Sequence, residues 1–178
     1  MASRLMDKQL IYEGRKVRLE IHHLEDDEGR RHKVEVVAHP GAVVVLPILD
    51  DQTILLIRNR RYATGQTLLE LPAGTLEKGE DPMNCAGREL QEETGYLAGR
   101  LQIVGSFFSS PGILSEKMYA FAAYDLQQTR QALEHGEEIE VQETPLDDAI
   151  EWTRTGQIAD AKTIATILMY DRFFRGKR

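Results

Sequence analysis

Gly74–Tyr96 reads GTLEKGEDPMNCAGRELQEETGY. Asp81 is placed to cap a helix, Pro82 suits its first position, and Gly95 suits its end. Within that helix Met83, Ala86 and Leu90 form an apolar face. Glu89 and Glu93 stand one turn apart and Glu92 lies three residues after Glu89, so all three project from one side. Three carboxylates so close repel one another and need compensation. Arg88 can offset one charge, and a divalent cation with hard oxygen ligands, Mg²⁺ or Mn²⁺, offsets more.

Around this helix the segments read mainly as strands. Arg15–Leu24 alternates Val17, Leu19 and Ile21 against Arg18, Glu20 and His22. His32–Ala38 is a second short run. Ala42–Leu49 and Thr53–Ile57 are continuous apolar runs that read as a hairpin buried on both faces. Leu68–Leu71, Leu101–Phe108, Lys117–Tyr124 and Glu138–Gln142 are further strands. A second helix is expected with Thr144 as cap and Pro145 as first residue, running to about Thr155. A third follows Asp160 with Ile164, Ile167, Leu168 and Phe174. Strands with few helices point to a mixed sheet with helices packed on it, not to regular βαβ alternation.

The chain has 178 residues and a formal net charge of -7. That charge is concentrated. Glu70–Tyr96 holds seven acids against Lys78 and Arg88, and Glu134–Glu151 holds eight acids with no Lys or Arg. The acidic balance argues against a duplex nucleic-acid partner. No apolar run is long enough to span a membrane, and the first residues lack the apolar stretch of a secretory signal. Cys85 is the only cysteine, so neither an intrachain disulfide nor a Cys-based zinc cluster is expected, which suits a cytoplasmic protein. A small buried residue is the reading for Cys85. His22 and His23 are neighbours on a strand and point to opposite faces, so they are not a ligand pair.

The spacing of Gly74, Glu80, Arg88, Glu89, Glu92, Glu93 and Gly95 resembles the Nudix box. Tyr96 departs from the pattern, which more often has an aliphatic residue there. The resemblance implies an α/β (α+β) fold, a Nudix-type α/β/α sandwich with a mixed sheet, preceded by N-terminal antiparallel strands. It suggests an N-terminal strand extension over 1–38 and a hydrolase domain over 39–178. It also implies metal-dependent hydrolysis of a nucleoside diphosphate linked to another moiety, with two or three Mg²⁺ ions (Mn²⁺ as the alternative). Glu89, Glu92 and Glu93 and the carbonyl of Ala73 would hold the metal, with Glu92 also a candidate water-holder. Arg88 and Glu80 would orient these carboxylates, and Gly74 would let the preceding loop turn.

Further segments resemble the ADP-ribose pyrophosphatase branch. LELPAG leads into the box, RNRRYATG precedes it, and Pro111 lies sixteen residues after Gly95. In that branch the catalytic base sits in a later Gly-Glu-x-aliphatic-Glu-Val loop. HGEEIEV fits, with Glu137 the better match and Glu138 the second. Arg61 would contact phosphate and Glu70 would assist near the metals. The branch forms homodimers whose N-terminal strands reach the partner's nucleotide pocket. Tyr12 and Arg31 are the candidates there, although residues 10–38 offer no tryptophan. The expected substrate is ADP-ribose, split into AMP and ribose 5-phosphate. GDP-mannose or another nucleotide sugar is the close alternative. A Nudix-derived ligand-binding regulator is the remote one, because regulators of this kind usually have a degraded box and an added DNA-binding segment.

Overall fold

Ala42–Pro47 (β4) is buried at all six positions because both its faces are covered. Ala42, Val44 and Leu46 belong to one apolar cluster, with Leu56, Leu69, Ile167 and Tyr170. Val43 and Val45 belong to another, with Cys85, Ala86 and Leu90. A strand covered on both faces has no position for a polar side chain, hence the unbroken apolar run.

This computed structural model describes residues 3–14 and 17–176. It divides into two compact units. The larger comprises Ala42–Phe107 and Met118–Arg178. There β4 pairs in parallel with β9 (Lys117–Gln128) and antiparallel with β7 (Ala73–Thr75). With β8 (Tyr96–Phe108) the mixed sheet has the order β7-β4-β9-β8. A second, antiparallel sheet has the order β10 (Ile139–Pro145), β5 (Thr53–Arg61), β6 (Gln66–Glu70). Helix α1 (Pro82–Thr94) supplies Cys85, Ala86 and Leu90 to one face of the mixed sheet. Helices α2 (Leu146–Thr155) and α3 (Ala161–Phe173) supply Leu146, Ala149, Ile167 and Tyr170 to the other cluster. This is the expected α/β/α sandwich with a mixed sheet.

The smaller unit takes Met1–Gly41 together with Phe108–Lys117. It carries the antiparallel sheet β1 (Arg4–Glu13), β2 (Arg18–Glu25), β3 (Arg31–Ala38). Arg15, expected to begin the second of these strands, lies outside the described residues. Val37 bridges Leu114 in the inserted segment.

Four local readings need correction. Ala42–Leu49 and Thr53–Ile57 do not form a hairpin: β4 and β5 lie in different sheets, and just beyond β4 the chain makes an isolated Ile48–Ile54 bridge. Each strand already has a neighbour on both sides, and Asp50 merely turns the chain, its Oδ1 accepting from Gln52 N and Thr53 N at 2.8 Å. Thr144 does not cap α2, because it is a buried member of β10 opposite Ile54. The cap is Pro145, without a side-chain hydrogen bond. Met83 is exposed, and Cys85 takes the expected third place on the apolar face of α1. Finally, β1 was not expected: all ten of its residues are exposed, so no burial pattern marks it.

Candidate metal and catalytic site

Helix α1 is placed by strictly local means. Asp81 Oδ1 accepts from Met83 N at 2.9 Å and Asn84 N at 3.4 Å, satisfying amides that a helix start leaves open. Gly95 ends the helix with φ 74°, donating to the Gln91 carbonyl. Burial of Cys85, Ala86 and Leu90 fixes its rotation and leaves Arg88, Glu89 and Glu92 partly exposed beside buried Glu93.

The loop before the helix is shaped around those carboxylates. A Cβ on Gly74 would lie 1.8 Å from Glu89 Cδ and 1.9 Å from Glu89 Oε1. Only glycine leaves room for the Glu89 carboxylate against β7. One residue earlier, Ala73 N donates to Glu93 Oε2 at 2.8 Å. Glu80 returns from the loop to Arg88, accepting from Nε at 3.0 Å and Nη2 at 3.1 Å. That hydrogen-bonded pair holds the Glu80 carboxyl down at about 2. Arg88 Nη1 also donates to Glu89 Oε1 at 2.7 Å and Glu92 Oε2 at 3.0 Å.

Glu93 is different. It is 4% exposed, and no ion pair reaches it among the described residues. Burial, against the hydrogen bond from Ala73 and reinforced by the charges of Glu89 and Glu137, pushes its carboxyl up to about 8. Glu89 is raised too, first by burial and then by Glu92 and Glu137, although Arg88 opposes this. Among the described residues no group of three His, Cys, Asp or Glu side chains converges as a ready cation site. Arg88 accounts for this, since it holds Glu89 and Glu92 to its own guanidinium. The donor set still suits a hard divalent cation: clustered carboxylate oxygens, a glycine cradle around one of them, and a buried carboxylate with no ion-pair partner among the described residues.

A second charge cluster adjoins the first. Glu70, on β6, is 1% exposed. Arg61 grips it bidentately, Nε to Oε1 at 2.8 Å and Nη2 to Oε2 at 2.6 Å. Lys162 Nζ reaches Glu70 Oε2 at 2.5 Å and Asp160 Oδ1 at 2.9 Å. Burial pushes the Glu70 carboxyl up, but these cations outweigh it and leave it lowered. Glu93 also acts on Arg61, so the two clusters share one field. Lys162 was not anticipated from sequence, because one lysine in the first turn of a helix carries no spacing signal.

Glu137 is half-buried and Glu138 exposed. Both line a 620 Å³ cavity with Arg58, Arg60 and Thr67. The charge of Glu137 acts on both Glu89 and Glu93. Cys85 is buried, and burial pushes its thiol up to about 12. Tyr12, Arg31 and Pro111 belong to the smaller unit. There the Tyr12 ring is exposed, Arg31 Nε pairs with Glu25 Oε2 at 3.0 Å, and Pro111 lies in an exposed turn.

A carboxylate-bearing helix, fed by a glycine loop, is thus seated on an α/β/α sandwich. The NUDIX domain matches residues 38–167, and the chain belongs to the Nudix family. It is 38% identical over 162 residues to an ADP-ribose pyrophosphatase of Bacillus subtilis, covering 90% of this chain and 88% of that one. A methanol dehydrogenase activator of Bacillus methanolicus is 36% identical over 159 residues, covering 88% and 86%. A GDP-mannose pyrophosphatase of Escherichia coli is 37% identical over 151 residues, covering 79% and 78%. The fold matches the crystal structure of an ADP compounds hydrolase with a TM-score of 0.87, at 24% identity, over 99% of this chain and 96% of that one.

Proposed function

We propose that the protein is a Nudix pyrophosphatase that hydrolyses nucleoside diphosphate sugars, with ADP-ribose cut to AMP and ribose 5-phosphate. The observation that carries this reading is the cradle in which Gly74 makes room for Glu89 while Ala73 N holds Glu93. Similarity to the B. subtilis ADP-ribose pyrophosphatase over 90% of the chain supports the substrate.

Glu89, Glu92, Glu93 and the Ala73 carbonyl would hold the divalent ions, Mg²⁺ first and Mn²⁺ second, two or three in number. When bound, such ions supply charge neutralisation at the pyrophosphate oxygens and acidify water. Arg88, anchored by Glu80, would orient Glu89 and Glu92 for the ions and offset part of their charge. Arg61 turns toward a phosphate oxygen, and Lys162 keeps Glu70 paired as it does so. Glu137 takes the proton from the attacking water, with Glu138 as the second candidate. Tyr12 and Arg31, from the partner of a homodimer, and Pro111 contact the nucleotide. The compartment is the cytoplasm, a reading supported by the single, buried cysteine, Cys85.

GDP-mannose is the second reading, favoured by the 37% identity to the E. coli enzyme. Product analysis with Mg²⁺ over ADP-ribose, GDP-mannose, NADH and diadenosine polyphosphates decides. The highest kcat/KM is expected for ADP-ribose, with equal yields of AMP and ribose 5-phosphate. A higher value for GDP-mannose replaces the substrate, and no turnover of any of them overturns the reading.

A further inference from the structure

Helix α1 ends one residue after Glu93, and the last carbonyls of a helix have no partner within it. Here a distant segment supplies the partners. Glu92 O accepts from Ala132 N at 2.9 Å, and Glu93 O accepts from Gln131 Nε2 at 2.7 Å. Gly95 O accepts from Thr129 N at 2.6 Å and from Thr129 Oγ1 at 2.9 Å. Gly95 allows this close approach, since a Cβ there would lie 2.9 Å from Gln131 N and 3.1 Å from Arg130 C. Thr129–Ala132 therefore acts as an external cap on the helix.

The same segment begins the loop that carries Glu137. Glu137 N donates to Glu134 O at 3.1 Å, and Glu137 Oε2 accepts from Glu134 N at 2.9 Å. The loop thus closes into a tight turn only a few residues beyond its mooring. The moored carbonyls belong to Glu92 and Glu93, whose carboxylates form the candidate metal site.

We propose that Gln131 is a positioning residue, whose carboxamide moors the Glu137 loop to the end of the carboxylate helix and thereby sets the reach of Glu137 into the site. The proposal rests on reading Glu137 as the base. The Gln131 carboxamide donates to the backbone of Glu93 and not to its carboxylate. Its role is geometric, and geometry is costly to lose, because a misplacement of about 1 Å can slow a reaction by about 10²-fold.

The test is a double-mutant cycle in the full-length protein with Mg²⁺ and ADP-ribose. Gln131→Met keeps the length of the side chain and removes the donor. It is expected to lower kcat about 10- to 100-fold, with KM and Mg²⁺ affinity within two-fold of wild type. Gln131→Met combined with Glu137→Gln is expected to be no slower than Glu137→Gln alone, since a mooring has no value once the base is gone. A kcat within two-fold of wild type, or losses that multiply, overturns the proposal. Amide hydrogen exchange separates it from the reading beneath it. Gln131→Met is expected to speed exchange at Thr129, Ala132 and residues 133–138 while leaving α1 before Glu92 unchanged. Unchanged exchange there overturns the mooring, whereas a fully active Glu137→Gln overturns only the assignment of the base.

Discussion

Gly74 has no side chain because the Glu89 carboxylate occupies the place where one would stand. Gly74→Ala is therefore expected to push Glu89 out of position, weakening Mg²⁺ binding by calorimetry and lowering kcat/KM by about 10²-fold or more. Wild-type Mg²⁺ affinity in that variant would contradict the cradle. Glu93 gives a pH signature. Its folded value of about 8 lies above its ordinary value of 4.5. A raised carboxyl contributes stability in full below about 4.5 and loses it as the pH climbs through about 8. In chelator, the wild-type Tm is expected to fall from pH 5 to pH 8 relative to Glu93→Gln, and Mg²⁺ to restore most at the alkaline end. Glu80, held at about 2, stays ionised across that window and does not mask the effect. Parallel Tm profiles for the two proteins would show that Glu93 carries no such strain.

At the scale of elements, α1 was legible almost residue by residue because its signals are local. Asp81, Pro82 and Gly95 act within one turn of themselves. Asp81→Ala is expected to cost about 1 kcal/mol in denaturant unfolding with kcat little changed. Leu90→Ala, which empties a fully buried position, is expected to cost about 2–5 kcal/mol. If both substitutions cost the same, the helix is not held mainly by its buried face. What sequence misread depends on distant partners. The edges of β4 are taken by β7 and β9 and those of β5 by β10 and the adjacent β6, so the proximity of β4 and β5 in sequence wrongly suggested a hairpin. Thr144 looks like a cap in isolation, but pairing with Ile54 takes it into a sheet. Gln131 and Lys162 meet their partners only in three dimensions, 38 and 92 residues away, and no periodicity announces them.

At the scale of the whole molecule, the charge of -7 conceals its own organisation. One acidic segment contains the carboxylate helix and the other contains the Glu137 loop, while Asp147 and Glu151 of the second segment pair with Arg175 and Arg154. The smaller unit presents β1 with Leu5, Met6, Leu10, Ile11 and Tyr12 between 44% and 59% exposed. Apolar exposure on that scale favours burial against a second surface. Sedimentation is expected to show a homodimer at micromolar concentration, and a monomer with full kcat would remove the shared nucleotide pocket. On the proposed function, binding of divalent ions by the carboxylates of α1 makes pyrophosphate cleavage possible. It is tested most directly by ADP-ribose turnover in Mg²⁺ for the wild type and for Glu93→Gln, both shown folded by circular dichroism. Rapid release of AMP and ribose 5-phosphate is expected from the wild type, none in chelator, and a loss of at least about 10²-fold in Glu93→Gln. Turnover by Glu93→Gln near the wild-type rate, or wild-type turnover undiminished by chelator, would contradict it.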